Sequence, residues 1–155
     1  MVRPVHRLLS GLPGGFDLVE ALSAYFAPAA AGPPDAALTA RMEEAGALAL
    51  ATPEQAWLLR PRPEALTGAQ DLDSSRLDVA LEALADLSVA VVYQHGVDHV
   101  LDAVRSGRAQ AGVLLRPASV AQIARTGRGG ERMPPKTTFF EPKPRTGMVF
   151  REVPG

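Results

Sequence analysis

The residues best suited to chemistry gather late in the sequence, in the stretch Arg128-Gly129-Gly130-Glu131-Arg132-Met133-Pro134-Pro135-Lys136-Thr137-Thr138-Phe139-Phe140-Glu141-Pro142-Lys143-Pro144-Arg145-Thr146-Gly147. Arg132, Lys136, Lys143 and Arg145 supply positive charge. Thr137, Thr138 and the backbone amides supply donors. Together they suit a phosphate or a carboxylate, which guanidinium and ammonium groups grip through charge-assisted hydrogen bonds. The prolines stiffen the segment, so its cations are held rather than waving. Phe139 and Phe140 could anchor the loop or stack on a ring. A plainer reading stands beside this one: a Pro-rich arm strapped across a sheet, its cations solvated and its phenylalanines in the core. The Gly-Lys pair of a Walker A loop is missing, so that phosphate cradle is excluded.

Other constellations are weaker. His95 and His99 are four apart, a spacing that puts two imidazoles on one helix face and that a metal could use. Gly96 follows His95, however, so His95 is expected at the helix start and off the regular spiral. No third ligand lies nearby, the glutamate of a zincin motif is absent, and no metal or other cofactor is expected. His6 beside Arg7 on a short strand could reach an anion, although such a pair more often lies on a surface strand. Asp71, Asp73, Asp78 and Glu82 make an acidic stretch, with Asp73 read as a helix cap and Asp78 and Glu82 as a solvated helix face. It lacks the Gly and terminal Glu of a calcium loop. Ser10 and Ser119 have no nucleophile-elbow context.

The elements that must position these residues follow from pattern. Val2 to Leu9 reads as a strand broken by Pro4, and so as a sheet edge. Asp17 can cap a helix running to Phe26, with Leu18, Leu22, Tyr25 and Phe26 on one face, ended by Pro28. Ala29 to Pro34 reads as a flexible connector. Asp35 caps a second helix, Ala36 to Glu44, which Gly46 ends. Ala47–Thr52 and Gln55–Arg60 flank Pro53-Glu54 as a β-hairpin carrying Trp57, a core or interface residue. After a loop from Pro61 to Gln70, Asp73 and Ser74 cap a helix through Leu87. Val89 to Tyr93 is expected to be a buried strand, Val97 to Arg105 an amphipathic helix, Ala111 to Leu115 another buried strand, and Ser119 to Arg125 a short helix. This alternation predicts a βαβ unit with a parallel pair. Thr126 to Arg145 reads as a long structureless loop, the kind that is usually functional or disordered. Gly147 to Val153 is expected as a final strand. The expected fold is a single α+β or α/β domain over residues 1–155: a small mixed sheet with a βαβ unit, an N-terminal helical segment and a hairpin, closed by the Pro-rich loop and last strand.

Composition bounds the rest. The 155 residues are 46% hydrophobic and 21% charged, an ordinary globular balance. A net charge of −1 provides no global field for nucleic acid or an anionic membrane, and neither is expected as a partner. The absence of cysteine excludes disulfides, thiolate zinc sites and cysteine nucleophiles. Met1 to Arg7 has no signal-peptide character, and no apolar run approaches membrane-spanning length, so a cytoplasmic protein is expected.

The segment Glu131 to Phe140, followed by Pro142-Lys143 and Thr146-Gly147, resembles the C-terminal signature of the bacterial and archaeal family called domain of unknown function 1015. Val5-His6-Arg7-Leu8-Leu9, the hairpin, Asp71-Leu72-Asp73 and Gly112-Val113-Leu114-Leu115-Arg116-Pro117 are similar to that family in the same order. The family's activity is unassigned. Its members are longer, with an upstream Asp-Gly-His-His-Arg segment that resembles the motif of free serine kinases in the ParB/sulfiredoxin-like group. The resemblance implies nucleotide or phosphoryl handling by the longer architecture, of which this chain matches the C-terminal part. No such segment occurs here, so the isolated chain is expected to be non-catalytic. It would supply an anion-binding module with a small anionic ligand. The other expectation is a non-catalytic interaction domain that self-associates or pairs with a missing N-terminal half.

Overall fold

In the computed structural model, the structure describes residues 2–133 and 136–140, with side chains described at 2–133, 136 and 137. Short apolar stretches alternate with capped polar ones along the chain, and they form strands β1 (Val2–Pro4), β2 (His6–Ser10), β3 (Phe26–Ala30), β4 (Leu48–Ala51), β5 (Ala56–Pro61), β6 (Ala90–Gln94), β7 (Ala111–Leu114) and β8 (Thr138–Phe140). The helices are α1 (Leu18–Leu22), α2 (Leu38–Ala45), α3 (Asp73–Glu82), α4 (Val97–Arg105) and α5 (Val120–Arg128). Six strands make one open sheet in the order β3-β5-β4-β7-β2-β6, and β1 pairs with β8 in a separate ladder. Every paired neighbour is antiparallel.

Residue alternation assigns the two faces of the sheet. Leu9, Leu48, Leu50, Leu59 and Val113 point to one face, where they pack with Leu18 and Leu22 of α1 and Leu77 and Ala80 of α3. Leu8, Ala49, Ala56 and Leu114 point to the other face and meet Leu38 and Met42 of α2 and Val100 and Ala103 of α4. The result is three layers, helix–sheet–helix. Gly112 sets the depth of one contact. A Cβ there would lie 2.5 Å from Val100 Cγ1 and 3.2 Å from Val104 Cγ2, so only glycine lets α4 settle this close to β7.

Several expectations change. The helix begun at Asp17 does start there, the Asp17 carboxylate accepting the Glu20 amide, but it stops at Leu22. Phe26–Ala30 is then neither helix nor flexible connector but strand β3. Pro28 is tolerated because β3 is an outermost strand. The first strand divides at Val5. Its second part, β2, lies inside the sheet between β7 and β6 rather than at an edge. The expected parallel pair is split: β6 and β7 do run parallel, joined through α4, but β2 is inserted between them and antiparallel to both. The apolar run Val89–Tyr93 predicts a buried strand; β6 instead forms an exposed edge. The helix begun at Asp73 ends at Glu82, with one 3₁₀ turn at Ala85–Leu87. Thr126 onward is not structureless throughout, because α5 continues to Arg128 and Thr138–Phe140 forms β8. The hairpin, the left-handed C-cap Gly46, α4 and β7 are as read from the sequence. Helix α2, however, starts at Leu38 rather than Ala36: its N-cap is Ala37, which makes no side-chain cap bond, and the Asp35 carboxylate accepts the Ala37 amide instead. Helix α5 opens with a capping box of Ser119 and Gln122. The expected strand at Gly147–Val153 lies outside the described residues.

Candidate functional site

A cleft of about 510 Å³ opens on the α2/α4 side of the sheet. It has four walls from distant parts of the chain: Arg3 and Pro4 of β1, Thr39 to Glu43 of α2, His95 to His99 at the start of α4, and Leu115 to Pro117 after β7, with His6 of β2 at the floor. Strand alternation dictates that floor. Leu8 turns into the α2/α4 core, and His6, two residues earlier on the same face, lands where the core gives way to the cleft.

His6 is buried, with 2% exposure. Its Nδ1 accepts the Leu115 amide at 3.1 Å, which places the proton of the neutral ring on Nε2. Burial, followed by the nearby charges of Arg7 and His95, lowers its pKa to about 4. At neutral pH the floor of the cleft is therefore an uncharged donor. Around it, Gly96 at φ 79° begins α4 without a side-chain cap, and the ring of His99 folds back over it: a Cβ on Gly96 would lie 3.1 Å from His99 Cδ2. His95 precedes this kink, so the two imidazoles are not stacked one turn apart on a regular spiral. Among the described residues no group of three or more His, Asp or Glu side chains could hold a metal. Met42, Val97 and Pro117 give the cleft an apolar flank able to take a planar ring.

Arg116 separates this cleft from a second, polar one of about 560 Å³, which shares Glu43, Arg116 and Pro117 with the first. Its other side chains form an ion-pair network. Asp73 receives Arg116 Nε at 2.9 Å and Nη2 at 2.8 Å, the Arg116 amide at 2.9 Å, and Arg76 Nη1 at 3.2 Å. The hydrogen bond to Asp73 raises the Arg116 pKa against the opposing effect of burial. Asp71 binds Arg76 at 2.5 Å and Arg125 at 3.2 Å. The sequence predicts Asp73 as the cap of α3, but the N-cap is Leu72, which makes no side-chain cap hydrogen bond. Asp73 is the first helical residue, with its carboxylate spent on Arg116. Ser74, the other expected cap, points to Thr137 with 2.9 Å between the two hydroxyls.

The loop residues singled out from the sequence are only partly brought together. Arg132 is exposed and its carbonyl accepts Gln70 Nε2 at 3.2 Å. Lys136 is exposed at φ 56°, and its carbonyl accepts Arg7 Nη1 at 3.3 Å. Thr137 is turned inward onto Ser74. Thr138 lies opposite Pro4 in the β1–β8 ladder, next to the cleft wall. Lys143 and Arg145 lie outside the described residues. The His6-Arg7 pair is not a surface strand face. Both side chains are buried on opposite faces of β2, Arg7 with its guanidinium carbon 4.5 Å from the Tyr93 ring centre and a further bond from Nη1 to the Val5 carbonyl. Burial lowers the Arg7 pKa, which Asp78 and Tyr93 partly counter. Trp57 is partly buried against the core on the α1/α3 face.

No protein-family model matches this sequence, and no curated protein does either. Solved structures do share its fold. A mutant free serine kinase in complex with AMP matches with a TM-score of 0.59 at 15% identity, covering 89% of this chain. A different mutant of a free serine kinase, also with AMP, gives 0.58 at 14% identity, covering 90%. A conserved hypothetical protein from Pyrococcus furiosus gives 0.59 at 14% identity, covering 89%. The chain spans about half the length of these structures, 52%, 53% and 54% respectively. At these identities the likeness establishes the fold. Among the described residues, no helix is long and apolar enough to cross a membrane.

Proposed function

We propose that this chain is a ligand-binding module of a nucleotide- or phosphoryl-handling protein, and that its ligand is a small phosphorylated molecule with a planar ring. The observation that carries this reading is the make-up of the 510 Å³ cleft, whose lining joins the apolar Met42, Val97 and Pro117 to Arg3, His95 and His99 around the neutral His6. The flank suits a base, the cationic and imidazole side suits phosphate, and His6 Nε2–H suits a carbonyl, hydroxyl or ring nitrogen. The free serine kinase structures of the same fold hold AMP or ADP, which agrees with that ligand class. On this reading Lys136 and Thr138 lie at the margin of the site, beyond the β1 wall. The chain corresponds to the C-terminal part of the domain of unknown function 1015 architecture, works in the cytoplasm, and depends on other protein for any catalysis.

The test is a titration of the ¹⁵N-labelled chain with AMP, ADP and inorganic phosphate. Nucleotide is expected to shift His6, Val97, His99 and Leu115 together, with phosphate alone moving only the His95–His99 end. Replacing Met42 by Glu should abolish the nucleotide effect. Shifts confined to the polar cleft around Arg76 and Arg125, or no shifts with any of the three, would refute the assignment.

A further inference from the structure

Natural sheets guard their edges with lysines, prolines, bulges or covering helices, because an open edge pairs with any extended chain. The β3 edge follows that rule, with Pro28 at its middle. The β6 edge does not. Ala90-Val91-Val92-Tyr93-Gln94 carries no charge and no proline, and it is in unbroken register with β2 from His6↔Gln94 to Ser10↔Ala90, without a bulge. Among the described residues nothing pairs with its outer side. Val91, Val92 and Tyr93 are 37%, 54% and 46% exposed and, with Val120, make up the exposed large hydrophobics of the described chain.

We infer that β6 is the self-pairing edge of a two-fold dimer, in which one continuous sheet runs through two copies of this chain. The strand's own sequence selects a second copy over other partners. An antiparallel pair of identical strands needs a residue on the two-fold axis that tolerates its own image, and Val92, the central residue, meets Val92 of the other copy. Val91 then faces the other copy's Tyr93, and Ala90 faces its Gln94. Those are β-branched–aromatic and uncharged pairs, the favourable kinds in cross-strand packing. No like charges meet anywhere along the strand, because it carries none. The outward amides and carbonyls of either residue set, Val91 with Tyr93 or Ala90 with Val92 and Gln94, find their mates in this register. The α3-side face is prepared for it, since Arg7 lies against the Tyr93 ring at 4.5 Å and fixes the side chain that must meet the other copy's Val91.

Sedimentation of the full chain over a range of concentrations tests this, aided by its lack of cysteine. The wild type is expected to be dimeric. Val92→Lys, an exposed substitution that puts two ammonium groups face to face on the axis, is expected to lose the dimer while keeping the far-ultraviolet circular dichroism of the fold. Under mild oxidation Val92→Cys is expected to cross-link rapidly, because opposed strand residues lie within the Cα separation a disulfide spans. Val120→Cys, likewise the sole cysteine of its chain but on the exposed α5, serves as the collision control and should cross-link slowly. A wild type that stays monomeric overturns the inference, as does a dimer that survives Val92→Lys or a Val92→Cys that cross-links no faster than the control.

Discussion

His6 is neutral in the folded chain at pH values where a free imidazole takes up a proton, and that difference makes stability depend on pH. Its pKa is about 4 in the structure and 6.5 when unperturbed. Above 6.5 both the folded and the unfolded chain hold the ring neutral, and the group has no effect. As the pH falls below 6.5 the unfolded chain binds a proton that the folded chain refuses, so stability falls until the folded ring also protonates near 4. Each pH unit in this window costs about 1.4 kcal/mol, so His6 alone removes about 2 kcal/mol between roughly pH 6.5 and 5 and about 3 kcal/mol by pH 4. Urea unfolding of the wild type and of His6→Asn at about pH 7, 6, 5 and 4.5 isolates the effect. Asparagine can still accept the Leu115 amide but cannot titrate, and the comparison subtracts the carboxylates that both proteins share. The wild type is expected to lose about 2 kcal/mol more than the variant between about pH 7 and 5. Equal pH slopes for the two proteins, or a His6 ring resonance that titrates near 6.5 in the folded state, would refute the reasoning.

Two further outcomes follow from packing and charge. Gly112→Ala forces a methyl into the 2.5 Å gap against Val100 and should destabilise by about 1–3 kcal/mol in chemical denaturation, with Val100→Ala on the same chain restoring part of the loss. Asp73→Ala strips the partly buried Arg116 of its bidentate partner and should cost about 3 kcal/mol, whereas Asp71→Ala, in the same network but more than half exposed, should cost under about 1 kcal/mol by the same measurement.

What is legible in the sequence is what short-range chemistry decides. Pro53-Glu54 between two apolar runs specifies the hairpin. Gly46 and Gly107 end helices, and a short helix starts at Ser119. What is not legible depends on distant partners. Phe-Ala-Pro-Ala-Ala has no strand pattern of its own, and it is extended because β5 offers it an edge. Val-Val-Tyr reads the same whether it lies in a core or at a rim, since an apolar run does not record which strand ends the sheet. An aspartate at a helix start, such as Asp73, looks like a cap until Arg116, 43 residues away, claims both its oxygens. The cleft is hidden for the same reason. Its walls come from residues 3–6, 39–43, 95–99 and 115–117, and no spacing within any one of them signals a site. The loop that does carry a local signal borders the cleft through β8 rather than forming it.

The β1–β8 ladder ties Val2–Pro4 to Thr138–Phe140, the most distant pairing in the described chain. Bringing such ends together costs about 4 kcal/mol of loop-closure entropy if nothing between them has ordered. The six-stranded sheet forms from closer pairings and shortens that span, so the ladder is cheap to close only afterwards. It belongs to the last events of folding and to the first of local opening. Arg3 and Pro4 line the cleft from this ladder, so one wall is set in place only once the scaffold is complete. The others, on α2, α4 and the end of β7, are built with the scaffold itself.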